Sequence, residues 1–264
     1  MTGQEVYKGV KNICIKYQVK CAIIHYFTII FLLQGTRDFP SSLDVNNPQE
    51  VAEMIDLFME ETNKALEKIQ MSVSKIHEEV KTSSDGRGPY TQYYVLAPTY
   101  ENEQIAKLQK NFTEPELEWL KIVAEHLVDS EEKMATQTDL INLCRNGGNN
   151  SLKKKLNVTE ADTALIKFLD DGYLFRVKTG KKSVKYGLGP RFLVEMESWM
   201  RQEFEDDVWS CDKCGKIGMI GVDCPKQNCG ARFHYYCVDT GNKDPKCYKC
   251  KTPIKLEGVA TKRQ

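Results

Sequence analysis

With 264 residues the chain is long for one small domain and suggests two or three modules. Its 37 basic and 37 acidic residues cancel, which argues against a general nucleic-acid coat and leaves room only for a local basic face. Hydrophobic residues at 41% and charged residues at 28% are ordinary for a soluble globular protein.

In chain order, the first notable stretch is CAIIHYFTIIFLL, Cys21 to Leu33. A spanning helix needs roughly 20 apolar residues, and this run is shorter and interrupted by His25 and Thr28. It starts too late for a signal peptide and lacks a small-residue cleavage site. A buried core helix is expected, with no membrane contact. Asn47 as N-cap and Pro48 at the first helical position then open a helix, with Val51, Ile55, Phe58 and Met59 on one face. The segment after Ile69 reads equally as helix or strand. SSDGRGP is a turn, led by Asp85-Gly86, and YTQYYVLAP is a strand that stops at Pro98. Helices followed by a hairpin suggest a first winged-helix-like domain over 1–102.

A second domain, 103–205, repeats that order. Thr113 is an N-cap with Glu116 as its capping-box partner and Pro115 in the first turn. Leu117, Leu120, Val123, Ala124 and Leu127 form the apolar stripe. TQTDLINLC is a short second helix stopped by Gly147-Gly148, and TEADTALIKFLDDGYLF a third with Gly172 as C-cap. LFRVKTGKKSVKYGLG gives two strands around a basic turn. PRFLVEMESWMRQEF closes the module as one helix, with Phe192, Met196 and Trp199 on one side. Three helices and a hairpin are the winged-helix order.

Seven of the 10 cysteines fall between Cys211 and Cys250; Cys14, Cys21 and Cys144 are scattered. A secreted disulfide framework would spread them through the body. Here Cys211, Cys214, Cys224, Cys229, His234, Cys237, Cys247 and Cys250 form C-x2-C-x9-C-x4-C-x4-H-x2-C-x9-C-x2-C. Eight sulfur and nitrogen donors fill two tetrahedral zinc sites. Both sites would be closed, with no open position for water or substrate, so the two Zn2+ ions are structural. A module of this size, 206–255, needs the metal to fold. Spacing permits sequential pairing of the first four and last four donors. It equally permits a cross-brace, with Cys211, Cys214, His234 and Cys237 on one ion and Cys224, Cys229, Cys247 and Cys250 on the other. Residues 256–264 read as a flexible tail.

With DGRGPY, RFLVEMESWMRQEF and the cysteine array in place, the chain resembles the RING-bearing non-SMC element subunit, element one, of the Smc five–six chromosome-maintenance and DNA-repair complex. PHD fingers also use seven cysteines and one histidine, but usually carry an aromatic two residues before the seventh donor, where this chain has Pro245. The resemblance implies an α+β fold of tandem winged helices followed by a two-zinc, cross-braced variant RING finger. It implies docking on a MAGE-type subunit and a kleisin-type subunit, nuclear and chromosome-associated, in DNA repair by homologous recombination. It also implies ubiquitin ligase activity that depends on the MAGE-type partner and acts through a ubiquitin-conjugating enzyme.

Three positions bear on that activity. Lys251, after the last donor, matches the basic linchpin of many RING ligases, though without the planar fork of arginine. Lys213 stands where an aliphatic residue often grips the conjugating enzyme, and Tyr248 replaces a usual proline. The alternative is a non-catalytic docking subunit; a PHD-like histone-tail reader would need an aromatic cage or acidic groove that is not evident. From Ser151 to Arg191, 10 basic residues face 4 acidic ones. This basic wing offers non-specific DNA contact, without a recognition helix for base reading.

Overall fold

The computed structural model describes residues 47–79, 91–99, 112–146, 156–179, 183–238 and 245–256. The apolar run at 21–33, the turn at Asp85-Gly86, Gly147-Gly148, the basic stretches 153–155 and 180–182, and residues 257–264 lie outside them. Two compact units are present.

The described part of the first unit is helix α1 (Pro48–Glu67) and the antiparallel hairpin β1 (Met71–His77) with β2 (Gln92–Pro98). Asn47 opens α1 by a 2.8 Å hydrogen bond from its side-chain amide to Glu50. Ile55 packs against the cluster of Met59, Leu66, Val73 and Tyr94; the side chains of Val51 and Phe58 are outside the described residues. Gln70, at φ 56°, turns the chain from helix to strand. The ambiguity after Ile69 resolves as strand. Val73 and Ile76, both buried, sit three apart on opposite faces, so the alternation that announces a strand is missing. Asn63 covers the outer side of β1 by accepting from Val73 N at 2.7 Å and donating to Val73 O at 3.1 Å.

In the second unit, α2 (Glu114–Asp129), β3 (Ala135–Thr136), α3 (Gln137–Asn146), α4 (Val158–Asp170), β4 (Leu174–Thr179) and β5 (Ser183–Leu188) follow in order. The sheet order is β3-β5-β4, all antiparallel, with Leu174 opposite Leu188 and Ala135 opposite Tyr186. Three helices followed by the β4–β5 hairpin match the expected order, while the short strand β3 between α2 and α3 was not foreseen. The Thr113 backbone donates to Glu116 at 2.7 Å, which is the reach-back bond of the expected capping box. The buried face of α2 is wider than the stripe read from sequence: Trp119, Ile122 and Val128 are buried, while Leu117 is half-buried. α3 has a box of its own, with Thr136 N donating to Asp139 at 3.1 Å. α4 starts one residue before the expected TEADTALIKFLDDGYLF, capped by Asn157, whose Oδ1 accepts from Glu160 N at 2.9 Å. It ends as expected at Gly172, φ +77°. Tyr173 N bonds Phe168 O at 2.8 Å and Gly172 N bonds Leu169 O at 3.2 Å, the paired bonds of a Schellman cap. Phe112 joins the two ends, its ring 5.1 Å from Phe168 and 5.5 Å from Tyr173.

The closing segment is two helices rather than one: α5 (Pro190–Glu195) and α6 (Glu197–Glu203). Met196, at φ −108° and ψ 14°, leaves helical geometry between them. The bonds Met196 N to Phe192 O and Met200 N to Met196 O, each 2.9 Å, keep the pair joined. The expected common side survives the break, with the Phe192 and Trp199 rings edge to face at 6.2 Å.

Candidate metal centre

The zinc-finger segment consists of short paired strands: β6 (Trp209–Ser210) with β7 (Ile217–Gly218), β8 (Val222–Asp223) with β9 (Arg232–Phe233), then helix α7 (Tyr235–Val238). Its core is Ala231, Phe233, Tyr235, Val238, Ile254 and Leu256, with the buried cysteines. The cluster is small in number, in keeping with a fold that needs a further source of stability.

Two donor sets emerge: Cys211, Cys214, His234 and Cys237, and Cys224, Cys229, Cys247 and Cys250. Within each, all candidate ligand atoms lie within 4.8 Å of one another. Cys224 and Cys250 sulfurs are 3.4 Å apart, Cys229 and Cys247 sulfurs 3.7 Å. His234 Nδ1 is 3.4 Å from Cys214 Sγ and 3.8 Å from Cys237 Sγ. Zn–S bonds of about 2.3 Å and Zn–N bonds of about 2.0 Å in a tetrahedron put sulfurs about 3.8 Å apart and nitrogen about 3.5 Å from sulfur. The sets fit two zinc ions. Their membership is the crossed one, and the sequential pairing is not the one observed.

The local backbone explains how each pair curls. In the first knuckle Gly215 N bonds Cys211 O at 2.8 Å and Cys211 N bonds Lys216 O at 2.9 Å. The last knuckle repeats both bonds in the same register, Lys251 N to Cys247 O at 2.9 Å and Cys247 N to Thr252 O at 2.8 Å. Both turns require the left-handed region: φ is +70° at Gly215 and +62° at Lys251. The exposed linchpin candidate thus holds a conformation that a glycine takes in the matching knuckle.

Aromatic rings enclose the histidine. Tyr236 stacks on His234 at 4.5 Å and 11°, and Trp209 lies at 5.1 Å. Burial works against a proton on His234, but Cys211, Cys214 and Glu79 outweigh it and raise its pKa to about 12. Within the four-sulfur set the thiols shift in opposite directions: hydrogen bonding to Thr252 lowers Cys250 to about 6, while burial raises Cys224.

Lys213 and Tyr248, the two departures from an ordinary RING, lie together. Lys213 donates to the Cys237 carbonyl at 2.8 Å and sits 4.8 Å over the Tyr248 ring. The Tyr248 hydroxyl donates to the same carbonyl at 3.4 Å. Glu79 was not foreseen from sequence. It belongs to the second unit, is buried, and accepts from Met219 N at 2.8 Å and Ile220 N at 3.3 Å. On the basic wing, Arg176 and Lys178 are exposed, while Lys185 is paired with Glu132. No helix among the described residues is long and apolar enough to cross a membrane.

A mixed helix and strand fold that leads into a two-site cysteine–histidine finger defines a RING-like zinc-finger protein. Residues 211–250 match a RING-like domain family. Residues 32–196 match the family described as Nse1 non-SMC component of SMC5-6 complex, and the chain belongs to that family. It is similar to the human non-structural maintenance of chromosomes element 1 homolog, 29% identical over 210 residues, covering 78% of this chain and 71% of the relative. The Xenopus tropicalis homolog is 27% identical over 212 residues, covering 79% and 71%. A chain of a solved Nse1-Nse3-Nse4 complex shares the fold, with TM-score 0.56 and 22% identity over 87% of this chain and 86% of that one.

Proposed function

We propose that the chain is a RING-type ubiquitin ligase subunit of an SMC5-6-type complex that acts in nuclear, chromosome-associated DNA repair by homologous recombination. Cys211, Cys214, His234 and Cys237 hold one zinc ion, and Cys224, Cys229, Cys247 and Cys250 the other. The modules are 1–102, 103–205 and the finger 206–255. The partners are a MAGE-type and a kleisin-type subunit. Family membership supports them, as does likeness to a chain of an Nse1-Nse3-Nse4 complex.

The observation that carries the ligase reading is Lys251, exposed beside the second donor set in a backbone conformation that disfavours any side chain. In this mechanism the protein supplies no nucleophile. A substrate amine attacks the ubiquitin thioester carried by the conjugating enzyme; the C–N bond forms, the C–S bond breaks, and the enzyme's thiolate leaves. The finger binds the carrier, and Lys251 donates hydrogen bonds across ubiquitin and carrier, so the gain is positional. Four protein donors per ion leave no place for a metal-bound nucleophile.

The Lys213–Tyr248 pair favours a second reading, a docking subunit without ligase activity. Both side chains satisfy each other and the Cys237 carbonyl where a carrier would meet an aliphatic residue. Ubiquitin-chain assembly in vitro separates the two. The test uses the zinc-loaded chain with its MAGE-type partner, a panel of conjugating enzymes, and Lys251→Ala for comparison. Chains that need the partner and fade in the variant support the ligase. No chains with any carrier support docking only.

A further inference from the structure

His234 has two ring nitrogens with separate surroundings. Nδ1 faces the sulfurs of Cys214 and Cys237. Nε2 lies 2.8 Å from the Ile217 carbonyl, which fixes the proton on Nε2 and leaves the Nδ1 lone pair for metal. Beside that N–H lies Glu79. Its Oε2 is held by the Met219 and Ile220 amides. Its Oε1 is 3.1 Å from Nε2, yet has no hydrogen-bond partner, because the ring N–H is spent on Ile217. Side-chain exposure is 2% for Glu79 and 0% for His234. A carboxylate is costly to bury, and a half-satisfied one more so.

The loop between them is fitted closely. A Cβ on Gly218 would fall 2.8 Å from His234 Nε2 and 2.7 Å from the Trp209 ring. Only glycine lets the backbone pass so near the imidazole, so a small shift of the 217–221 loop would be felt by the ring. Glu79 is the group that ties this loop, through amides 140 and 141 positions further along the chain.

We propose that Glu79 is a positioning residue for the first donor set, and that its carboxylate fixes the 217–221 loop and polarises the His234 imidazole so that Nδ1 binds metal. The inference rests on the zinc reading above. A carboxylate oxygen 3.1 Å from the far ring nitrogen, beside the Ile217 carbonyl that accepts its N–H, makes the imidazole a stronger donor through Nδ1. The finger is then not self-sufficient: one of its two metal sites depends on a residue well before its first cysteine.

The test uses the full chain loaded with Co2+, whose ligand-field bands distinguish a three-sulfur, one-nitrogen site from a four-sulfur site. In Glu79→Gln the amide oxygen still accepts from Met219 and Ile220, but the charge beside Nε2 is gone. Under chelator challenge this variant should lose cobalt from the sulfur–nitrogen site about 10–100-fold faster than wild type, with the four-sulfur site unchanged. Glu79→Ala, which frees the loop as well, should lose it at least as fast. Release from the sulfur–nitrogen site at the wild-type rate in Glu79→Gln would overturn the proposal, as would equal acceleration at both sites, which signals general loosening. A wild-type chain that binds no cobalt would overturn the zinc reading itself, and this proposal with it.

Discussion

Lys251→Gly separates the side chain of the linchpin position from the fold. At φ +62° a non-glycine residue is strained by about 1–2 kcal/mol. The first knuckle shows the relaxed alternative, Gly215 at φ +70° with the same two backbone bonds. Glycine at 251 removes the strain but adds about 0.5–1 kcal/mol of chain entropy to the unfolded state. The sum lies between neutral and about 1.5 kcal/mol stabilising. Lys251→Ala keeps the strain and should fall about 1 kcal/mol below Lys251→Gly. Thermal or denaturant unfolding of the zinc-loaded chain reads this order. In chain assembly the two variants should be equally impaired, since both lack the ammonium. A Lys251→Gly chain clearly less stable than Lys251→Ala would refute the left-handed knuckle. Ligase output lost in Lys251→Ala and kept in Lys251→Gly would show that strain, and not the ammonium, was the issue.

Other outcomes follow from single contacts. Asn63→Ala strips Val73 of both outer hydrogen bonds and should destabilise the first unit by about 1–3 kcal/mol, seen as faster amide exchange at Val73. Burial pushes Glu116 up, but the bonds from Lys167 at 2.7 Å and from Thr113 outweigh it and hold its pKa below the ordinary 4.5. A depressed carboxyl stabilises above its unfolded pKa and loses that contribution as pH falls through the folded value. Glu116→Gln should therefore be less stable than wild type at neutral pH, and the gap should close as pH drops below about 4.5; stability measured against pH checks it. Cys247→Ala should unfold the finger while α2–β5 retain their packing, read by amide exchange in the two regions.

The eight donors were legible because ligand identity and spacing are written along the chain, whereas spacing left their partition between two ions open and only the family resemblance pointed to the crossed one. Cys229 and His234 are near in sequence and serve different sets, and the path of β9 between them shows the crossed arrangement that the resemblance implied. Caps were legible where the box is local, as at Thr113–Glu116, and Gly172 announced its own turn. β1 was hidden because Val73 and Ile76 are buried on opposite faces, so no period of two appears. The break at Met196 carries no glycine or proline to mark it. Glu79 lay beyond any sequence signal. Its partners are backbone amides 140 and 141 positions away, and a glutamate in HEEV reads as surface.

The chain loaded with 113Cd tests the crossed architecture most directly. Two resonances are expected, a four-sulfur site downfield of a three-sulfur, one-nitrogen site. Cys214→Ser should move or remove the sulfur–nitrogen resonance and leave the four-sulfur one in place, because Cys214 shares its ion with His234. If Cys214→Ser instead disturbs the four-sulfur resonance, the donors are paired sequentially and the crossed finger is wrong.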